Sequence, residues 1–499
     1  MSWPRPALWF PILGGQNSQQ IEGLRQDANL VEASQAQNII PDPSGKWVTR
    51  PGFSKVRSSA ITNGPAITGM FHMGDLANEF ILGNSLTGSL QRDNANPPGA
   101  IAGGTAFTTG ANVLLRGDIG VNVLIIVSLS RDVPQQLTST ITRTNLGGTP
   151  PYGTDYKYFG RRGFMFSPLY GGTTYRSHVM FNSTQDTVDG WANPTTTNFL
   201  NFGRPGAKVD VLGGELYLDH LMTFTEDAIF PIYATPNAIL PFAFQDPIFS
   251  EEGGGPSGIH AVVKANGRLY WISKNFDVKV MEGLSTRSIG YAIQPFLRGL
   301  VDNRRAYIVG GWEPQYRMVV WAVSDGSDTQ NNDVVALHVD TGQFYLHTLS
   351  RNAFSPRSVT GELRLIGGGY SGFFYNEYDT STTGDLDTAA SAIDADVMTP
   401  RHHLGMPGVV KKVPYVVVEF DPIGTEVVTV QHQLDDAQSW TSFAESTFTM
   451  SGTDIQRGYF TIPAPFDRIR LRFRDTNSGE RFRVLRYGFP APKALRVSR

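Results

Sequence analysis

The apolar residues of this chain come in runs of roughly four to eight, each bounded by Gly, Asn, Asp or Pro, which is the length and punctuation of strands. A helix needs a 3.6-residue period held over about ten positions or more. The best helical window, residues 21–38, is polar enough to read as a loop with one or two turns. The 53 glycines and 31 prolines supply the turns, and 499 residues at 40% hydrophobic content can bury a sizeable core. The chain is expected to be all-β.

Strands are expected at 121–129, 268–273, 278–281, 318–323, 334–339 and 344–348, among others. Asn266-Gly267 accepts the positive backbone angles of a two-residue hairpin turn. Gly213-Gly214 reads as a similar turn, and Gly310-Gly311 as the end of a strand. These units recur every 40 to 60 residues or so, a period that suits β-propeller blades. The clearest blade covers 305–349: a strand ending at Gly310-Gly311, a second with Trp321, a polar loop at 325–333, a third strand, the turn Asp340-Thr341-Gly342 and a fourth. A double glycine after an apolar strand also resembles kelch repeats, but this unit alone matches well.

Beyond Tyr378 the texture changes. Residues 379–399 are small, polar and acidic, as in an exposed connector, and six strands follow from Val409 onward, enough for a small β-sandwich. The expected architecture is an irregular β-propeller followed by a C-terminal β-sandwich. Its divisions are an N-terminal arm and hairpin (1–60) closing or bridging the ring, a propeller-like unit (61–394), and a sandwich with an arginine-rich strand (395–499).

Little chemistry is nominated. Without cysteine there is no disulfide, thiolate metal site or cysteine nucleophile. Pro4, Pro6 and Pro11 interrupt the apolar start too often for a signal peptide, and no window approaches the roughly 18 apolar residues of a membrane span. A soluble chain is expected. His402 and His403 are neighbours, but adjacent strand residues face opposite sides and would not share a metal. Residues 379–387 have a faint calcium-loop look without the acidic spacing or terminal Glu of an EF-hand. Glu226-Asp227 and Glu251-Glu252 read as solvated loop acids. No phosphate-binding loop, HExxH or GxSxG is present, so no catalytic residue, metal or cofactor is expected.

The sharpest local pattern is basic. Ile469, Leu471 and Phe473 alternate with Arg468, Arg470, Arg472 and Arg474, so on a strand the apolar row faces the core and four guanidinium groups share the other face. Arg481, Arg483 and Arg486 thicken the patch. These arginines could meet DNA phosphates, acids of a neighbouring subunit, or local carboxylates and water. The chain as a whole is acidic, at a formal net charge of −3. That argues against a conventional nucleic-acid reader and suits a conduit past which DNA slides with little adhesion.

The N-terminus carries a family resemblance. Gly14-Gly15 precedes a polar loop, Gln37-Asn38 follows an alanine, and Arg50-Pro51-Gly52-Phe53 closes a hairpin that contains Trp47. This order resembles the opening of β-propeller tail hub or nozzle proteins of short-tailed bacteriophages, and residues 331–342 and the arginine-rich last unit are similar to theirs. The resemblance covers the two ends and one blade; residues 90–250 match only in texture. It implies a structural, non-enzymatic virion tail protein, assembled in the host cytoplasm into a hexameric ring below the portal and adaptor. Its partners would be itself, the portal or adaptor and other tail proteins, with transient contact to genomic double-stranded DNA that it retains and then releases. The other readings are a glycan-degrading propeller enzyme of the tail and a kelch-like interaction module. From its residues alone, the N-terminal hairpin is a turn at 41–45 and a strand ended by the fixed angle of Pro51 and the permissive one of Gly52.

Overall fold

The computed structural model describes residues 8–16, 31–33, 35–42, 46–61, 65–72, 81–84, 87–92, 98–138, 140–192, 198–203, 209–359, 362–382, 384–386, 390–422, 427–450, 454–475 and 481–495. The 21–38 window therefore falls mostly outside the described residues. Among those described, the helices are one five-residue α-helix, Gln294–Arg298, and three short 3-10 turns; the other regular elements are strands.

Seven antiparallel sheets follow one another along the described chain. Blade 1 runs from Phe71–His72 to Gly99–Ala100, blade 2 from Leu115–Gly120 to Arg143–Asn145, and blade 3 from Asp155–Phe159 to Phe199–Asn201. Blade 4 runs from Val211–Tyr217 to Phe242–Phe244, with Phe249–Ser250 added, and blade 5 from Val263–Ala265 to Ser285–Ser288. Blade 6 runs from Val309–Glu313 to Gln343–Thr348. Blade 7 begins at Ala353–Val359, and its fourth strand comes from the N-terminus: Gly52–Lys55 pairs with Phe374–Asp379.

The blades close into a ring. Leu115 N–H donates to Thr68 O between blades 2 and 1 (2.8 Å), and Ile67 N–H to Gly369 O between blades 1 and 7 (2.9 Å). Apolar clusters fill the grooves between neighbours. Tyr156, Met165 and Val127 lie between blades 2 and 3; Trp271, Phe224 and Tyr217 between 4 and 5; Ile67, Ile366 and Phe374 between 7 and 1. An all-β propeller is the architecture these residues build.

Two glycine pairs depart from expectation. Gly213-Gly214 makes no turn: Val211–Tyr217 is one strand paired with His220–Thr225. A Cβ at Gly213 would crowd Asp155, and one at Gly214 would crowd Phe166, so the missing side chains let blade 4 approach blade 3. Gly310-Gly311 likewise lies inside Val309–Glu313 rather than ending a strand.

The C-terminal unit is a sandwich of two sheets. In one, Tyr415–Pro422 lies between Gln456–Thr461 and Phe482–Phe489, and the far edge of Phe482–Phe489 takes both Leu8–Gln16 and Trp47–Thr49. The other runs Thr441–Thr449, Val427–Leu434, Ile469–Asp475, Ala395–Met398, Gln35–Gln37, and touches blade 6 where Gln37 meets Leu346. The expected connector at 379–399 is thus not simply a connector. It holds the hairpin Asp385–Leu386/Ala390–Ser391 and then an interior strand whose Ala395 and Val397 are fully buried. N-terminal strands serve both units, and one apolar cluster runs from Val320 and Tyr375 of blades 6 and 7 to Val418, Phe473 and Tyr487 of the sandwich.

Candidate functional site

The N-terminal motif residues meet where propeller and sandwich join. Asn38 stands at φ 56°, a left-handed conformation that Asn tolerates. Its N–H donates to Leu346 O of blade 6 (2.6 Å), and its carbonyl accepts from Arg50 N–H (3.0 Å). Its Oδ1 accepts from Arg50 Nε and Thr348 N (both 3.0 Å), while Nδ2 donates to Asp394 O (2.8 Å). Gln37 Nε2 donates to Thr348 Oγ1 (2.8 Å).

Arg50 is 1% exposed and holds Asp385 with both terminal nitrogens (2.8 and 2.6 Å); Nη1 also donates to Pro51 O (3.0 Å). A planar fork suits this bidentate role, which an ammonium cannot copy. Pro51 and Gly52 are buried, and a Cβ at Gly52 would strike the Gly384 carbonyl. Gly14 and Gly15 lie in the one strand that pairs with the sandwich through Leu8 to Pro11 and bridges blade 6 through Gln16.

Two further buried groups brace this junction, and neither stood out in the sequence. Nε2 of His347 donates to Ile39 O (3.1 Å), and its Nδ1 accepts from Tyr378 Oη (2.9 Å). Burial, helped by the charge of Arg50, pushes the imidazole down to about 3, so it is neutral. Arg351 forks Glu377, with both side chains almost fully buried, and lies over the Phe53 and Tyr375 rings (4.3 and 4.2 Å). These residues have no local pattern; each partner comes from a distant segment.

The arginine row is matched within the chain. Arg472 forks buried Asp396 (2.9 and 2.5 Å), Arg474 takes Asp394 (3.1 and 2.8 Å), and Arg468 takes Asp436 (2.5 Å). Arg470 and Arg472 lie over Trp440, 4.6 and 5.7 Å from its ring. Arg483 pairs with Asp421 (2.7 Å) and Asp42 (3.4 Å), and Arg486 with Glu419 (2.5 Å). Arg481 donates to Thr382 O (2.9 Å), and burial lowers its pKa. Five of the seven, Arg468, Arg472, Arg474, Arg483 and Arg486, meet local carboxylates. Asp394 and Asp396 were hidden because 379–399 read as a connector, and the other acids because they come from distant segments.

The propeller axis holds a second cluster. All seven blades line a cavity of about 200 Å³. Arg116 reaches Asp155 (3.0 Å), Glu215 (3.1 Å) and Ile259 O (3.2 Å), and Lys157 reaches Glu215 (2.8 Å). Burial alone would raise Glu215, but Lys157 and Arg116 outweigh it and hold the carboxyl below its ordinary value. His260 donates from Nε2 to Leu115 O (3.2 Å); burial, then Arg116, pushes it down to about 3, and its Nδ1 has no protein partner. Asn352 gives Nδ2 to Ile67 O and Ala111 O (both 3.0 Å), leaving Oδ1 as a second open acceptor. Such a chamber suits a few waters at about 30 Å³ each or a small polar molecule. A DNA duplex, whose major groove alone is about 12 Å wide, does not pass through it.

The other acids and histidines fall as follows. Asp379 accepts from Ser54 Oγ (2.5 Å) and Ser381 N (3.0 Å), and Asp385 is spent on Arg50. His402 meets Tyr487 Oη (2.7 Å) and the Phe10 ring, whereas His403 turns toward Asp467 (3.9 Å). In the blade 6 loop read only as polar, Asp325, Asp328 and Asp333 bring one oxygen each within 4.8 Å of one another and could hold a cation. Burial and the two neighbouring acids push Asp333 up to about 6.

The described residues thus define a seven-bladed propeller stapled to a β-sandwich by its own N-terminus. No protein-family model matches the chain, and no curated protein matches it. A solved structure described as YCF48 bound to D1 peptide is similar at a TM-score of 0.39 and 10% identity, covering 66% of this chain and 99% of that one. The propeller assignment rests on the sheet registers. No helix among the described residues is long and apolar enough to cross a membrane.

Proposed function

We propose that the protein is a structural tail component of a short-tailed bacteriophage, a hub or nozzle that assembles with copies of itself into a hexameric ring below the portal and adaptor. The ring retains the packaged genome and gives it an exit path into the host. The observation that carries this reading is the junction. Asn38, Arg50, Pro51 and Gly52, on which the resemblance to such proteins rests, are committed to welding propeller to sandwich, as a part bearing mechanical load requires. Because the propeller axis is blocked by the Arg116 and Lys157 ion pairs, the DNA path lies between subunits and not through a single propeller.

Negative-stain images of the purified protein test this. Hollow rings with a central opening wide enough for a duplex are expected. A population of isolated single chains at every concentration, together with absence of the protein from purified virions, would overturn it.

A further inference from the structure

Among the described residues, seven of the thirteen large exposed apolar side chains form two groups, the others including Ile119 and Val121 of blade 2, Tyr291, Leu363 and Ile455. The first is on the face of the propeller that carries the hairpins of blades 4 and 5. Leu218, 63% exposed, tips the first hairpin of blade 4, and Leu284, 48% exposed, tips the last hairpin of blade 5. The N–H of Gly283 donates to Tyr217 Oη (2.9 Å), so the two hairpins are tied side by side. On the same face of blade 4, the loop between its third and fourth strands presents Ile239 and Leu240, 70% and 49% exposed. Asn237 Oδ1 accepts from the N–H of both (2.9 and 3.3 Å), which holds this loop in one shape with its apolar side chains in water. A pre-ordered apolar projection loses little entropy on docking.

The second place is on the sandwich. Val409, Val410 and Leu495 are 37%, 40% and 40% exposed, and Leu495 N–H donates to Val410 O (3.0 Å) beside the paired strands Lys411–Lys412 and Lys493–Ala494. The charges flanking the two patches are opposite: exposed Asp219 adjoins Leu218, while exposed Lys412 and Lys493 border the valines. The sandwich is attached at blades 6 and 7, and the first patch lies on blades 4 and 5.

We infer that these patches are the two halves of a head-to-tail contact, in which Leu218, Ile239, Leu240 and Leu284 of one subunit seat against Val409, Val410 and Leu495 of the next. A closed ring of identical chains needs two unlike, complementary surfaces on each subunit, and the chain carries an acidic-flanked and a basic-flanked apolar patch. The inference rests on the ring reading above and names the interface that reading lacks.

The chain has no cysteine, which makes the test specific. Ile239→Cys and Val410→Cys are made as separate variants and treated with a short bis-maleimide, singly and mixed. Cross-linked dimers in the mixture and in neither variant alone are expected. Ile239→Asp combined with Leu240→Asp should lower the ring fraction at least tenfold with the melting temperature unchanged, since both side chains are exposed. Cross-linking within a single variant overturns the head-to-tail contact. Rings in the images without cross-linking in the mixture overturn this interface and leave the ring reading standing. Absence of both rings and cross-links overturns both.

Discussion

The strand Ile469–Asp475 and the junction around Arg50 and Arg351 use arginine in different ways. On the strand, guanidinium groups stand at every second position of one face whose exposure rises along it, from Arg472, 18% exposed on buried Asp396, to Arg474 and Asp394, 39% and 50% exposed. At the junction, the side chains of single arginines are 2% and 4% exposed and each forks one carboxylate brought in from elsewhere in the chain. The density of charge on the strand draws the eye, yet alternation alone produces it. The isolated arginine before Pro51 is where charge fixes the architecture.

The largest effect should come from breaking the most buried pair. Glu377→Ala leaves Arg351 charged and uncompensated, and destabilisation by about 3–5 kcal/mol is expected in urea unfolding. Next, Arg50→Lys keeps the charge but loses the fork to Asp385 and the bond to Asn38. A loss of about 1–3 kcal/mol is expected, and a change below the error of the melt would contradict the role given to this residue.

Titration sharpens the contrast. Burial pushes Glu313, at the end of the blade 6 inner strand, up to about 7, so its contribution is present below its ordinary carboxylate pKa and is lost as pH rises through 7. Glu313→Gln should therefore gain on the order of 1 kcal/mol relative to the parent at pH 8 and nothing at pH 4. His347 and His402, both held near 3, act in the opposite sense: their contribution is present above about 6.5 and is lost as pH falls toward 3. His347→Gln should flatten the acid limb of the stability curve. The smallest effect belongs to the strand, where Arg474→Ala should shift stability by less than about 0.5 kcal/mol, at low and at high salt.

These contrasts also explain what could be read in advance. Met318–Val323 and Phe482–Phe489 were legible because their apolar runs or alternation satisfy a local rule. Gly213-Gly214 and Gly310-Gly311 misled because a glycine that admits a neighbouring blade looks the same in sequence as one that makes a turn. Ala395–Met398 hid because its acids and small residues mimic a linker, although Asp396 stands there to meet Arg472. The pairing of Gly52–Lys55 with blade 7, more than 300 residues away, has no local signature at all.

The central claim is that the N-terminal segment makes propeller and sandwich one cooperative body. Differential scanning calorimetry of the wild-type chain tests it most directly. A single transition whose calorimetric and van't Hoff enthalpies agree is predicted, splitting into two in Arg50→Ala. Two well-separated transitions in the wild type would contradict it.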